Sequence, residues 1–168
     1  MSLSMYQASV PTIIRALDNL AAVLEKAAQH AESKKFPPEG FINARLYPDM
    51  FPLAKQVQIA SDVSKGGCAR LAQVDPPSFE DNETTFPQLV ERTRKTIEFL
   101  RTLKPEQIDG SEERTVTWKT RTAERSMKGQ PYLLNHVLPN VFFHCATAYD
   151  ILRHNGVELG KQDFLGKP

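Results

Sequence analysis

Four stretches of this chain repeat apolar residues at steps of three and four. That period leaves few folds other than helices packed on helices. In residues 4–34 the series is Ile13, Leu17, Leu20, Leu24, Ala28 and Ala31. From Met50 to Gln73 it is Leu53, Val57, Ala60, Val63 or Ser64, Gly67 and Leu71. A third series runs through Phe86, Leu89, Thr93, Ile97, Leu100 and Leu103 and stops before Pro105. The last, over residues 131–153, buries Leu134, Val137 or Leu138, Val141, Cys145, Ala148 and Leu152. Each helix would span about 27–45 Å at 1.5 Å per residue, which is bundle length. The expected fold is therefore all-α, a four-helix bundle formed by residues 1–168 as a single domain.

Local chemistry refines the boundaries. Pro11 either kinks the first helix or marks its first turn, with Ser9 as cap. Phe36-Pro37-Pro38-Glu39-Gly40 ends it, and residues 41–48 read as an irregular link. Asp49 is the expected N-cap of the second helix. Gly66-Gly67 costs about 1 kcal/mol per glycine in mid-helix. Either the helix breaks there or a neighbour approaches closely. Thr85 and Gln88 form a capping-box pattern, with Pro87 tolerated in the first turn. Thr115 to Thr120 alternates and is rich in β-branched residues, so a short strand or hairpin should lie on the bundle with Trp118 packed inward. Pro139 predicts a kink or restart in the last helix. Gly156 suits a left-handed C-terminal stop, and the tail from Glu158 is expected to be extended.

Composition excludes several classes of function. Net charge is +1, and no basic run suggests a nucleic-acid partner. No apolar stretch approaches the roughly 20 residues that span a bilayer. Met1 to Gln7 lacks the basic-then-apolar pattern of a secretory signal, so the expected location is cytoplasmic. Cys68 and Cys145 are far apart and read as reduced core thiols. No GxSxG elbow, GxGxxG turn or Walker-type loop is present.

Three stretches carry a resemblance. They are Tyr47-Pro48-Asp49-Met50-Phe51-Pro52-Leu53 leading to Gln56-Val57-Gln58-Ile59-Ala60, then Leu138-Pro139-Asn140-Val141-Phe142-Phe143-His144, and finally Ala148-Tyr149-Asp150-Ile151-Leu152-Arg153-His154-Asn155-Gly156-Val157 with Gly160-Lys161 and Asp163-Phe164-Leu165-Gly166. Together they resemble a DinB-like family within the DinB/YfiT-like superfamily of metalloenzymes. The resemblance implies an up-down-down-up bundle, often a homodimer, with the second and third helices parallel. Residues 74–84 would then travel the bundle's length, reaching about 36 Å if extended at ~3.3 Å per residue. The wider superfamily holds a divalent metal with three histidines, one from the second helix and two from the fourth. Here the second helix has no histidine, Ala148 stands four residues beyond His144, and Asn140 stands one turn before it. That triad is missing, so no metal ligands and no cofactor are assigned. A weakly held divalent ion is the residual expectation.

The four histidines do not replace the triad. His136 and His144 are about 12 Å apart along an unbroken helix, too far to share an ion. His30 and His154 would meet only at one end of the bundle. A mixed site has better geometry. His144 shares a face with Val141, Ala148 and Ile151, and Gln56, Gln58 or Asp62 from the second helix can face it. His144, Asp62 and Tyr149 are the candidate catalytic residues, since an acid-paired imidazole titrates near neutrality. Gln56, Gln58, Trp118 and Asn140 are the candidate ligand contacts, with Trp118 as a lid. Each has a plainer alternative: a hydrogen-bonded core histidine, a core tyrosine, a packed tryptophan. Arg121 and Arg125 suggest a carboxylate clamp or solvated charge, and Arg92-Arg94-Lys95 a solvated face. The expected function is a small-molecule pocket around His144, possessing acid/base chemistry if the protein is an enzyme. The alternatives are a divalent-metal-dependent transferase and a non-catalytic dimerisation module.

Overall fold

The structure is a computed structural model that describes residues 3–120 and 122–166. The long helices are α1 (Met5–Lys34), α3 (Leu53–Ala72), α4 (Phe86–Thr102) and α7 (Leu138–His154). Short helices α2 (Pro38–Ile42), α5 (Pro105–Ile108), α6 (Gly129–Tyr132) and α8 (Lys161–Leu165) sit between or after them. Two strands, β1 (Thr115–Lys119) and β2 (Glu124–Lys128), form an antiparallel hairpin with Trp118 opposite Arg125. α1 packs on α4 and α7, and α3 packs on the same two helices. One apolar cluster joins all four, from Met5 and Ile13 through Leu53, Leu71, Leu89 and Leu100 to Val141 and Leu152. Among the described residues no helix is long and apolar enough to cross a membrane.

Several local expectations hold. Thr85 and Gln88 cap each other at the start of α4. Gly156 takes φ +90° just beyond α7, and Val157 N–H returns to the Leu152 carbonyl. α1 runs unbroken through Pro11. The proline frees the Gln7 carbonyl, and Thr12 Oγ1 approaches that oxygen at 3.4 Å. Ser4, not Ser9, is the cap, in a box with Gln7. Ser9 instead donates to the Met5 carbonyl at 2.7 Å.

Other expectations are corrected. α3 starts at Leu53 behind Pro52, so Asp49 caps nothing. The link after α1 contains α2, which buries Phe41 and Ile42. The tail is not extended throughout. α8 is held to α1 by Asn19 Nδ2 on the Phe164 carbonyl at 2.9 Å and by Lys26 on Asp163 at 2.6 Å. The last helix is divided: α6, one π-turn over Leu133–Val137, then α7 with Pro139 in its first turn. The wider turn moves the missing proline donor to a position where helices tolerate it.

The Gly66-Gly67 pair lies within an unbroken α3. A Cβ on Gly67 would stand 2.6 Å from Val137 Cγ1, so the glycine admits the π-turn against α3. The crossover from α3 to α4 is pinned differently. Arg92 is buried in α4 and bonds Glu83 at 2.8 Å, Asp62 at 2.9 Å, Asp81 at 3.0 Å and the Glu80 carbonyl at 2.9 Å. Gln58 holds Glu83 from α3 at 2.9 Å, and Phe79 lies under the Lys65 and Arg92 cations.

Two outcomes are expected. Gly67→Ala should cost about 1–3 kcal/mol by overpacking, despite alanine's better helix propensity. Urea melts of Gly67→Ala with and without Val137→Ala check this, and the second change should restore most of the loss. Arg92→Met should cost about 3–5 kcal/mol, because the half-buried Glu83 loses its charged partner and keeps only the Gln58 amide. Equal urea midpoints for wild type and Arg92→Met would rule out the pinning role.

Candidate functional site

α3 and α7 bring Gln56 and His144 together. Both side chains are buried. His144 Nδ1 lies 2.7 Å from Gln56 Oε1. The amide nitrogen of Gln56 donates to the Phe51 carbonyl at 3.0 Å, just before α3 begins. That bond fixes which way the amide points, because a carbonyl accepts only from the NH2 end. Gln56 therefore offers oxygen to the imidazole, and Nδ1 must carry the proton. Nε2 is then the unprotonated nitrogen of a neutral ring. Among the described residues Nε2 has no hydrogen-bond partner. Burial holds the His144 pKa below its ordinary 6.5, so the ring is neutral at pH 7. Phe143 meets the ring edge-on at 5.1 Å, and both it and Phe51 are exposed.

The other candidates go elsewhere. Asp62 is not the partner of His144. It pairs with Arg92 and with Lys65, each at 2.9 Å. Gln58, two residues from Gln56, points to Glu83 and the crossover. Asn140 donates to the His136 carbonyl at 2.6 Å, where the π-turn ends. Tyr149 packs against Phe164 of α8, with ring centres 6.2 Å apart. Trp118 packs inward as expected, but over Tyr132 and His136, at 4.9 and 4.6 Å. His30 packs on Phe36 and Phe41. Arg121 lies outside the described residues, and Arg125 is exposed on β2.

Both cysteines are buried, which pushes each thiol up to about 12. They are not nucleophiles at neutral pH. Among the described residues no group of three or more His, Cys, Asp and Glu side chains could hold a metal. Gln56 and Asn140 already spend their amides on neighbours. The residues around His144 do not form the donor set that the superfamily resemblance implies. What they can do is present one neutral, oriented imidazole nitrogen as a hydrogen-bond acceptor or base.

Comparison with known proteins decides the family. The model for a domain of unknown function, DUF1993, matches residues 5–165. This chain belongs to the DUF1993 family. A solved DinB family member protein from Shewanella denitrificans is 36% identical, covers 97% of this chain and 92% of its own, and superposes with a TM-score of 0.88. The DUF1993 chain is thus a DinB-like, all-helical domain of unknown function carrying one small hairpin. No protein in the curated set matches it. Phe51 was missed by sequence reasoning, because its contribution is a backbone carbonyl that no residue type encodes.

The neutral ring predicts a pH dependence. The unfolded chain takes up the His144 proton first, since its pKa is the higher one. The stability from the neutral native ring is thus complete above the ordinary pKa of 6.5 and is lost as pH falls from there toward the lower native value. Urea melts should weaken from about pH 7 to about pH 5, and His144→Gln should reduce that slope, the remainder coming from His136, whose pKa burial also lowers. Nitrogen-15 spectra of the histidine rings should show the proton on Nδ1 of His144. A signal for the Nε2–H tautomer would contradict the assignment.

Proposed function

We propose that this domain binds a small molecule at His144, with Nε2 accepting a hydrogen bond or a proton from it. The single supporting observation is the chain Phe51 carbonyl, Gln56 amide, His144 imidazole. A histidine that served only to fill the core has no need of a fixed tautomer. Here two neighbours orient it so that its basic nitrogen is left unused. If turnover occurs, proton transfer suits a lone neutral imidazole better than hydrolysis does, which needs a second activating group. Asp62 and Tyr149 are then not part of the reacting set, because their partners lie elsewhere.

The framework we propose for this site is a single domain with helices running up-down-down-up. Cross-helix pairs support it. Gln56 meets His144 and Gly67 meets Val137, so α3 and α7 are antiparallel. Asn19 meets Phe164 beyond α7, and Tyr6 N–H meets Asp109 beyond α4. Arg94 of α4 reaches Asp18 and Glu25 of α1. We also propose a homodimer, supported by the exposed Phe142 and Phe143 on the outer side of α7.

The test is a thermal-shift screen of a small-molecule collection, followed by titration of the hits. Hits at this site should bind His144→Ala at least about tenfold more weakly, with the fold intact by circular dichroism. A collection whose hits bind wild type and His144→Ala equally would overturn the reading. Stabilisation of wild type by zinc or nickel alone, absent in His144→Ala, would replace it with a metal-dependent one.

A further inference from the structure

Arg70 stands in the last turn of α3, and its guanidinium does not reach for a carboxylate. Among the described residues no acid pairs with it. Instead it folds back over Gly66, where a Cβ would stand 2.8 Å from Arg70 Nη1. The same Nη1 donates to the Tyr132 hydroxyl at 3.2 Å. Glycine supplies the space and tyrosine fixes the fork, so an exposed arginine is held ready in one place. This also accounts for Gly66, which Gly67's contact with Val137 leaves unexplained.

The surrounding groups are donors. The Tyr132 oxygen accepts from Arg70, and its own proton has no acceptor among the described residues. Tyr132 is 1% exposed, so that hydroxyl is positioned by packing. His136 lies beside it, ring centres 5.4 Å apart, on the π-turn that follows α6. Neither of its ring nitrogens has a partner among the described residues. Burial first, and then the Arg70 charge, keep this ring neutral, so one nitrogen donates. Trp118 of β1 backs both rings. π-turns inside helices often mark functional positions, and this one sets His136 in the group.

We propose that Arg70, Tyr132 and His136 form a binding site for a small carboxylate beside the hairpin, separate from the His144 site. The guanidinium fork matches a planar carboxylate, and its one positive charge balances one negative charge. A phosphate dianion would leave a net negative charge beside the apolar face of Trp118. The ligand class is therefore a monocarboxylate.

Trp118 is the chain's one tryptophan, so it reports on the site directly. The full chain is titrated with sodium acetate and sodium benzoate against sodium chloride at constant ionic strength. Trp118 fluorescence and the nitrogen-15 shifts of the His136 ring and the Arg70 Nε–H are followed together. Both carboxylates should saturate, with half-saturation below about 10 mM. Arg70→Gln, an exposed change, should weaken them at least about tenfold, and Gly66→Ala should do the same by displacing the guanidinium. Circular dichroism confirms that both variants fold. The proposal fails if neither readout saturates, or if Arg70→Gln binds as wild type does. Inorganic phosphate binding more tightly than either carboxylate would overturn the ligand class.

Discussion

The close approach of α3 to the last helix is the contact on which the rest of the structure depends. Gly67 lets the π-turn at Val137 lie directly against the α3 backbone. On either side of that point further residues of the two helices meet. Toward the start of α3 the register brings Gln56 to His144. Toward its end it brings Arg70 to Tyr132. Both groups of oriented polar side chains therefore hang on one interface. A helix pair held further apart by a side chain at position 67 would carry neither pairing. Interiors are packed too densely to absorb such a spacer by local give.

The second constraint is electrostatic. A long link between α3 and α4 has to cross the surface without regular backbone bonds of its own. Arg92 gathers it by binding two of its acids and one of its carbonyls, while also bonding Asp62 on α3. A buried guanidinium is costly unless it is paired, and here the loop it holds supplies most partners of the two Nη atoms, while Nε has none among the described residues. The expectation of a solvated Arg92-Arg94-Lys95 face thus divides. Arg92 is buried, whereas Arg94 and Lys95 stay exposed in surface pairs with Asp18 and Glu91. The same network removes Asp62 from the neighbourhood of His144, although the two looked compatible by helical face alone.

Most of the helical framework was legible because it rests on local period and local caps. The stripe from Ile13 to Ala31, the Thr85–Gln88 box, the hairpin around Trp118 and the Gly156 stop each depend on residues within a few positions of one another. The misreadings have a common cause. Asp49 is a good cap by type, but Pro52 and the Ala44 carbonyl define the start of α3. The tail carries no strong signal of its own, and α8 is held by Asn19, Arg15 and Lys26 from a helix more than a hundred residues away. The π-turn has no residue signature beyond the nearby Pro139, since an extra residue in a turn is selected by packing.

The candidate site divides along the same line. The sequence by itself determined that His144 would lie on the buried face of the last helix and that Gln56 would lie on the facing side of the second. Both follow from a period of 3.6 residues. It also determined the family resemblance and the loss of the histidine triad. Only the tertiary structure decided which of Gln56, Gln58 and Asp62 meets the imidazole, which nitrogen keeps the proton, and where Trp118 packs. The physical reason is that helical period fixes the face a residue occupies, whereas a partner depends on the axial offset between helices. Glycine contacts, a π-turn and one buried arginine set that offset, and each of them acts between segments far apart in the chain.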